Sequence, residues 1–295
     1  MSKVTFSKDD LDSIIQEFVK RVFEKEQECS FDETYTITYG EVAENHANMQ
    51  KLGNKTSEGL TISDLRNVKK VMEKLGANCE LINLNKYLPE DVHAEDAYIL
   101  VVRKGVNYIL KKKCADDMFE EHKKLKPDTK AFMRGKVKNK LARHNLCFSD
   151  FSQKADFENG KGTVIDFKDP QIELTNCIRE ELPYIFSSDG NKYEKVANLQ
   201  AEGNYYYNEK CGIGFHGDSE RMIVIAVRLG KTMCLHYQWF SRFKPIGDRC
   251  ILNINHGDMY FMSEKATGND WKKSSIITLR HAAGHKTYTT IKEKK

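Results

Sequence analysis

From about residue 195 the chain reads as short strand-like runs joined by turns: NLQAEGNYYY, RMIVIAVRLG, MCLHYQWF, CILNINHGDMYFM, SSIITLRH and KTYTTIK. Several short strands at this spacing predict a β-sandwich or barrel. Before them come a basic segment, the strand GTVIDF and the helix PQIELTNCIREELPYIF. Residues 1–125 read as a smaller α+β unit of unknown role. It opens on an amphipathic helix and continues with the alternating strand YTITYG (35–40). The helix TISDLRNVKKVMEKLG (61–76) follows, with Ser63 as N-cap and an apolar stripe of Leu65, Val68, Met72 and Leu75; then come the strands CELINL and AYILVVRKG. The charged, proline-bearing KLKPDTK (124–130) marks a boundary, giving units 1–125 and 126–295. VAENHANMQKLG (42–53) crowds Asn45, His46, Asn48 and Gln50 together, a composition suited to capping and turns.

A chain of 295 residues with 40% hydrophobic content can bury a core. No apolar run reaches the roughly 18–20 residues of a membrane span, and the first residues lack the apolar centre of a signal peptide. The eight cysteines are scattered, with no C-x-x-C pair. That pattern predicts reduced thiols in an intracellular setting, cytoplasm or nucleus, and argues against a cysteine-bound zinc. A net charge of +4 permits nucleic-acid binding without requiring it. The basic stretch KAFMRGKVKNKLAR (130–143) contains no acid, and by itself it reads as a solvated face.

The chemistry concentrates in CGIGFHGDSER (211–221). His216 and Asp218 lie two apart, which on a strand places them on one side. Two histidines and one carboxylate on one face of a metal leave positions open for co-substrate and dioxygen, the arrangement of non-haem Fe(II) oxygenases. His281 in TLRHAAG follows a strand-like run 63 residues after Asp218 and can supply the second imidazole. Lys292 lies 11 residues further on and can pair with the far carboxylate of a chelated dicarboxylic acid.

GNYYYNEKCGIGFHGDSE resembles the N-x-Y…H-x-D stretch of AlkB-type 2-oxoglutarate oxygenases, with Asn204 and Tyr206 at the positions that contact the co-substrate in that family. FMRGKVKNKLARHNLCFSD resembles the start of the family's nucleotide-recognition lid, and HGDMYFMSEKATGNDWKK its G-D-x-x-x-M strand and following loop. The resemblance spans about residues 130–292. At the position where AlkB repair enzymes carry the second ligand histidine, this chain has Lys273, a poor iron ligand because its amine is protonated. TLRHAAG resembles the distal histidine segment of prolyl-4-hydroxylase-type oxygenases, which supports His281 with Lys292. SIITLR resembles the strand on which AlkB enzymes carry their 2-oxoglutarate arginine, which makes Arg280 the alternative anchor and leaves the triad incomplete.

The resemblance implies an α+β chain with a double-stranded β-helix (jelly-roll) core. The activity it implies is an Fe(II)- and 2-oxoglutarate-dependent dioxygenase that hydroxylates or demethylates a C–H bond on a nucleic-acid base. Dioxygen is then the second co-substrate, and DNA or RNA the partner. Arg134, Lys136, Lys138, Lys140 and Arg143 are the expected phosphate contacts. A protein side-chain hydroxylase and a non-catalytic nucleic-acid-binding relative are the alternatives.

Overall fold

The apolar run VIAVRLG forms strand β12 (Val224–Gly230), buried along its whole length. A strand buried on both faces belongs in the middle of a layered structure. The computed structural model, which describes residues 31–291, places it there. The chain is a mixed α+β structure, mostly sheet. Its eight-stranded sheet runs in the order β4 (Cys79–Asn83), β5 (Tyr98–Val102), β15 (Met259–Met262), β12, β1 (Thr34–Gly40), β10 (Gln200–Tyr206), β8 (His144–Ser149) and β9 (Val164–Asp166). Only the β8–β9 pair is parallel. A four-stranded antiparallel sheet runs β11 (Gly212–His216), β16 (Thr278–Gly284), β13 (Met233–Ser241) and β14 (Lys244–Ile254). Neither sheet closes on itself.

The two sheets share a core. Ile99, Val101, Val224, Ala226 and Met262 from the large sheet pack with Leu235, Tyr237, Trp239 and Leu279 from the small one. The buried Trp239 indole donates to the carbonyl of Leu84 at 2.8 Å, so its one polar atom is satisfied. The other face of the large sheet carries helices. In β1 the alternation is clean: Tyr35 packs edge-on against Phe119 of helix α3 (Ala115–Lys123), and the Tyr39 hydroxyl donates to the carbonyl of Thr175 in helix α4 (Glu173–Ile185). Thr36 and Thr38 of the same strand point the other way, into a cavity between the sheets.

Helix α1 (Ile62–Lys74) has the expected stripe of Leu65, Val68 and Met72, but Leu75 is half exposed at its end. The cap is Thr61, not Ser63. Its hydroxyl accepts from the Asp64 backbone at 3.1 Å while the Asp64 carboxylate accepts from the Thr61 backbone at 2.8 Å, a reciprocal capping box. Helix α2 (Gly105–Leu110) precedes α3.

The expected boundary near residue 125 does not separate two folds. Strands β1, β4 and β5, all before it, pair within the same sheet as β10, β12 and β15, and residues from Asp32 onward form one compact unit. KTYTTIK is a second correction: it contains the short helix α5 (Lys286–Thr289) rather than a strand. Two hairpins stand apart from the sheets. One joins β2 (Val42–Glu44) to β3 (Lys51–Gly53), and the other joins β6 (Lys130–Met133) to β7 (Lys136–Asn139). The second turns on Arg134 and Gly135, at φ 52° and 77°. Positive φ at both central residues matches the sense of strand twist and keeps the ribbon tight. Among the described residues no helix is long and apolar enough to cross a membrane, and the seven described cysteines are free.

Candidate metal centre

Strands β11 and β16 pair so that His216 sits directly opposite His281. Their rings lie 4.5 Å apart, centroid to centroid. The chain turns immediately after His216 at Gly217, where a side chain is impossible: a Cβ there would come within 1.9 Å of the Gly268 carbonyl oxygen. That contact seats the next residue, and the Asp218 backbone donates to the Thr267 carbonyl at 2.9 Å. Asp218 Oδ1 ends 3.5 Å from His216 Nε2 and 3.8 Å from His281 Nε2. One ligand atom from each of the three residues falls within 4.8 Å of the others.

The tautomer is set as well. His216 Nδ1 lies 2.8 Å from the Gly214 carbonyl and 3.1 Å from that of His281, so it carries the proton and leaves the Nε2 lone pair facing inward. Burial lowers the His216 imidazole to about 4 and holds His281 well below the usual histidine range, so both rings are neutral and could offer a lone pair to a metal. Burial, reinforced by the nearby Glu220, raises the Asp218 carboxyl to about 7. A bound cation reverses that last effect, because it favours the charged carboxylate.

The cluster opens into a cavity of about 490 Å³ between the two sheets. On the large-sheet side, cross-strand register lines up Asn145, Asn204, Thr36 and Arg228 on four adjacent strands, β8, β10, β1 and β12. Arg228 is 1% exposed, and its Nε and Nη1 have no hydrogen-bond partner; neither has the Thr36 hydroxyl beside it. Tyr260 lies against the same guanidinium, its phenol pushed up to about 12 by burial. Buried donors left unpaired are costly, and those that face a cavity are completed by an ordered water or a ligand there. The complementary ligand is an anion, and a planar carboxylate matches the guanidinium fork best.

No family model matches this chain. A protein of Acanthamoeba polyphaga mimivirus, described as uncharacterized protein R156, is 45% identical over 256 residues, covering 85% of this chain and 96% of the viral one. The chain belongs to the R156 family.

Within this R156-family chain, the structure sorts the residues expected from sequence. His216, Asp218 and His281 come together, and Tyr206 lines the cavity. Lys273 is exposed and is not part of the cluster. Asn204 also lines the cavity but is heavily engaged. Its Oδ1 accepts from Arg143 Nε at 2.5 Å and Asn145 Nδ2 at 2.6 Å, while its Nδ2 donates to Glu202 at 3.0 Å. Arg280 is not an anchor for a ligand in this cavity. As the neighbour of His281 on a strand it points to the opposite face, where its guanidinium stacks 4.0 Å above Phe240, with Trp271 at 5.1 Å and Phe243 at 5.5 Å. Lys292 lies outside the described residues.

Of the five expected phosphate contacts, Arg134, Lys136 and Lys138 are exposed on the β6–β7 ribbon. Arg143 instead lines the cavity. Lys140 is a correction: it is 5% exposed, and its ammonium is bonded to Asn45 Oδ1 at 2.6 Å and Asn145 Oδ1 at 2.9 Å, which removes it from any surface contact. The Asn45 side chain bridges distant parts of the chain rather than capping a turn, and also donates to Asp128 at 2.9 Å. The rest of that turn, His46 to Met49, lines the cavity instead of merely capping. Sequence reasoning missed Arg228 and Thr36. The signal for the first was a lone arginine inside IVIAVRLG; for the second there was none, because only sheet register brings β1 to the site.

Proposed function

We propose that this protein is a mononuclear Fe(II)- and 2-oxoglutarate-dependent oxygenase. The observation that carries the reading is the pairing, in one cavity, of a His216–Asp218–His281 cluster with a buried arginine, Arg228, whose Nε and Nη1 have no partner. The donor set suits the metal: two neutral imidazoles and one carboxylate, with no thiolate. The opposite wall suits the co-substrate, because Arg228 and Thr36 offer donors to a carboxylate and Tyr206 closes the space beside them. The order of the two sheets supports a double-stranded β-helix core. Strands β10, β12 and β15 of the large sheet alternate along the chain with β11, β13, β14 and β16 of the small one, and β1 fills the place between β10 and β12.

When bound, iron with 2-oxoglutarate and dioxygen supplies oxidative decarboxylation to succinate and CO2 and an oxidant able to hydroxylate a C–H bond. The chain does the rest. His216, Asp218 and His281 hold the metal. Arg228 and Thr36 orient the far carboxylate of the co-substrate. The facing sheets exclude water from the apolar side of the cavity, where Val224, Leu235 and Met262 sit.

We further read the substrate as a nucleic-acid base, with the exposed Arg134, Lys136 and Lys138 on the backbone phosphates. A base in a duplex must be flipped out to reach the cavity. The free cysteines support an intracellular setting. The exposure of Lys273 and the presence of His281 in the cluster support the catalytic reading over a non-catalytic relative.

The test is Fe(II)-dependent conversion of 2-oxoglutarate to succinate by wild type and His281→Ala. Turnover by wild type and none by the variant is expected. A wild-type protein that binds no Fe(II) overturns the oxygenase reading.

A further inference from the structure

The metal-binding carboxylate has two oxygens, and the structure treats them differently. Asp218 Oδ1 faces the two imidazoles, while Oδ2 lies on the side of Arg221, 3.9 Å from its Nε. Arg221 is 4% exposed and is gripped from two directions. Its Nη2 donates to Glu202 Oε2 at 2.7 Å and to Glu220 Oε1 at 2.9 Å, and its Nε to the same Glu220 oxygen at 3.2 Å. Glu202 is in turn tied to Asn204, and Asn204 to Asn145, across β10 and β8. The guanidinium is therefore fixed by the large sheet while it faces a residue of the metal cluster.

We infer that Arg221 is a positioning residue for the metal centre: it holds the Oδ2 side of Asp218 and keeps Glu202 and Glu220 turned away, so that Asp218 presents Oδ1 alone. The inference rests on the oxygenase reading of the cluster and adds to it a device that keeps the remaining metal positions open. Three arguments support it. At 3.9 Å the guanidinium is beyond hydrogen-bond length, so it biases Asp218 electrostatically without occupying the oxygen. Asp218, Glu202 and Glu220 with Arg221 carry a net charge of −2, which one divalent cation neutralises. Without Arg221, two further carboxylates beside the cluster are released, and carboxylates released next to a divalent cation turn toward it.

The experiment uses the full-length protein loaded with Co(II) alone and reads its visible absorption, which reports ligand number and geometry. Arg221→Met with Glu202→Gln removes one positive and one negative charge together, so net charge is unchanged. The expected result is a change in the Co(II) bands and a 10–100-fold weaker 2-oxoglutarate titration of them, the range typical of losing a group that orients a metal ligand. Arg221→Lys keeps the charge but loses the fork, and an intermediate spectrum is expected. If the double variant does not fold, the lysine variant alone decides the matter. A folded variant with the wild-type Co(II) spectrum and wild-type 2-oxoglutarate titration overturns the inference. Failure of the oxygenase reading looks different: wild type then shows no Co(II) bands that His281→Ala abolishes.

Discussion

The two walls of the cavity are built on opposite principles. The small-sheet wall gathers its chemistry locally: His216 and Asp218 are two residues apart, and His281 joins them through one antiparallel pairing. The large-sheet wall gathers Asn204, Thr36 and Arg228 from three strands spread across most of the chain, and only register aligns them. One wall carries nitrogen and oxygen lone pairs suited to a cation. The other carries unpaired donors suited to an anion. A ligand that chelates a metal at one end and presents a carboxylate at the other bridges the two walls, and this is why the pair is more informative than either wall alone.

The most severe break is on the small-sheet wall. Asp218→Ala removes the carboxylate that both imidazoles face, and saturable Mn(II) binding, read by electron paramagnetic resonance, is expected to vanish together with 2-oxoglutarate binding. On the large-sheet wall the two affinities separate. Arg228→Met is expected to weaken 2-oxoglutarate by about 2–4 kcal/mol, roughly 30- to 1000-fold, the scale of removing one partner of a buried charge pair. Mn(II) affinity should stay within a few-fold. Arg280→Ala is the control, because its guanidinium sits among Phe240, Phe243 and Trp271 on the other face. Loss of 2-oxoglutarate binding in Arg280→Ala, with Arg228→Met unaffected, would reverse the assignment of the two arginines.

The same contrast explains what could be read from sequence. H-x-D and the later histidine were legible because the spacing of a strand places such residues on one side, whatever the fold around them. The strand runs after residue 195 were legible for a similar local reason. Arg228 was visible only as an oddity in an apolar run, since nothing local says that its donors lack partners. Thr36 was invisible, because β1 pairs with β10 and β12 at separations of well over a hundred residues. For the same reason a composition break near residue 125 looked like a domain boundary while the strands on either side of it share one sheet. Lys140 looked like its neighbours Lys136 and Lys138; its burial depends on Asn45, far away in the chain.

A smaller effect, read by pH, lies behind the large-sheet wall, on the helix-covered face of that sheet. His122, on α3, is fully buried against the helix-covered face of the large sheet, with its ring near Tyr35 and Phe148 and its Nε2 2.8 Å from the Thr175 hydroxyl. Burial lowers its imidazole to about 3 from an ordinary 6.5. The unfolded chain therefore binds a proton that the folded chain does not. Stability from this group is complete above pH 6.5 and falls away as pH drops toward 3, up to ~5 kcal/mol in all. The measurement is the thermal midpoint against pH for wild type and His122→Gln. The variant should start lower and show a flatter acid limb. An acid limb of unchanged slope would remove His122 from the account.

The smallest effects are expected on neither wall. Lys136 and Lys138 are both exposed on β7, and strand alternation puts them on one side of the ribbon. Replacing both by Gln should leave Mn(II) and 2-oxoglutarate binding unchanged. Binding to single-stranded DNA or RNA should weaken a few-fold, and the slope of log affinity against log salt should fall by ~0.7 for each phosphate that is no longer neutralised. Lys140→Gln should do the reverse. Its ammonium ties Asn45 to Asn145, so the change lowers the unfolding midpoint and leaves the salt slope alone. Three lysines spaced two apart thus serve as a ruler for where the cavity's scaffold ends. A salt slope that moves with Lys140, or fails to move with the outer pair, would place the polyanion somewhere other than this ribbon.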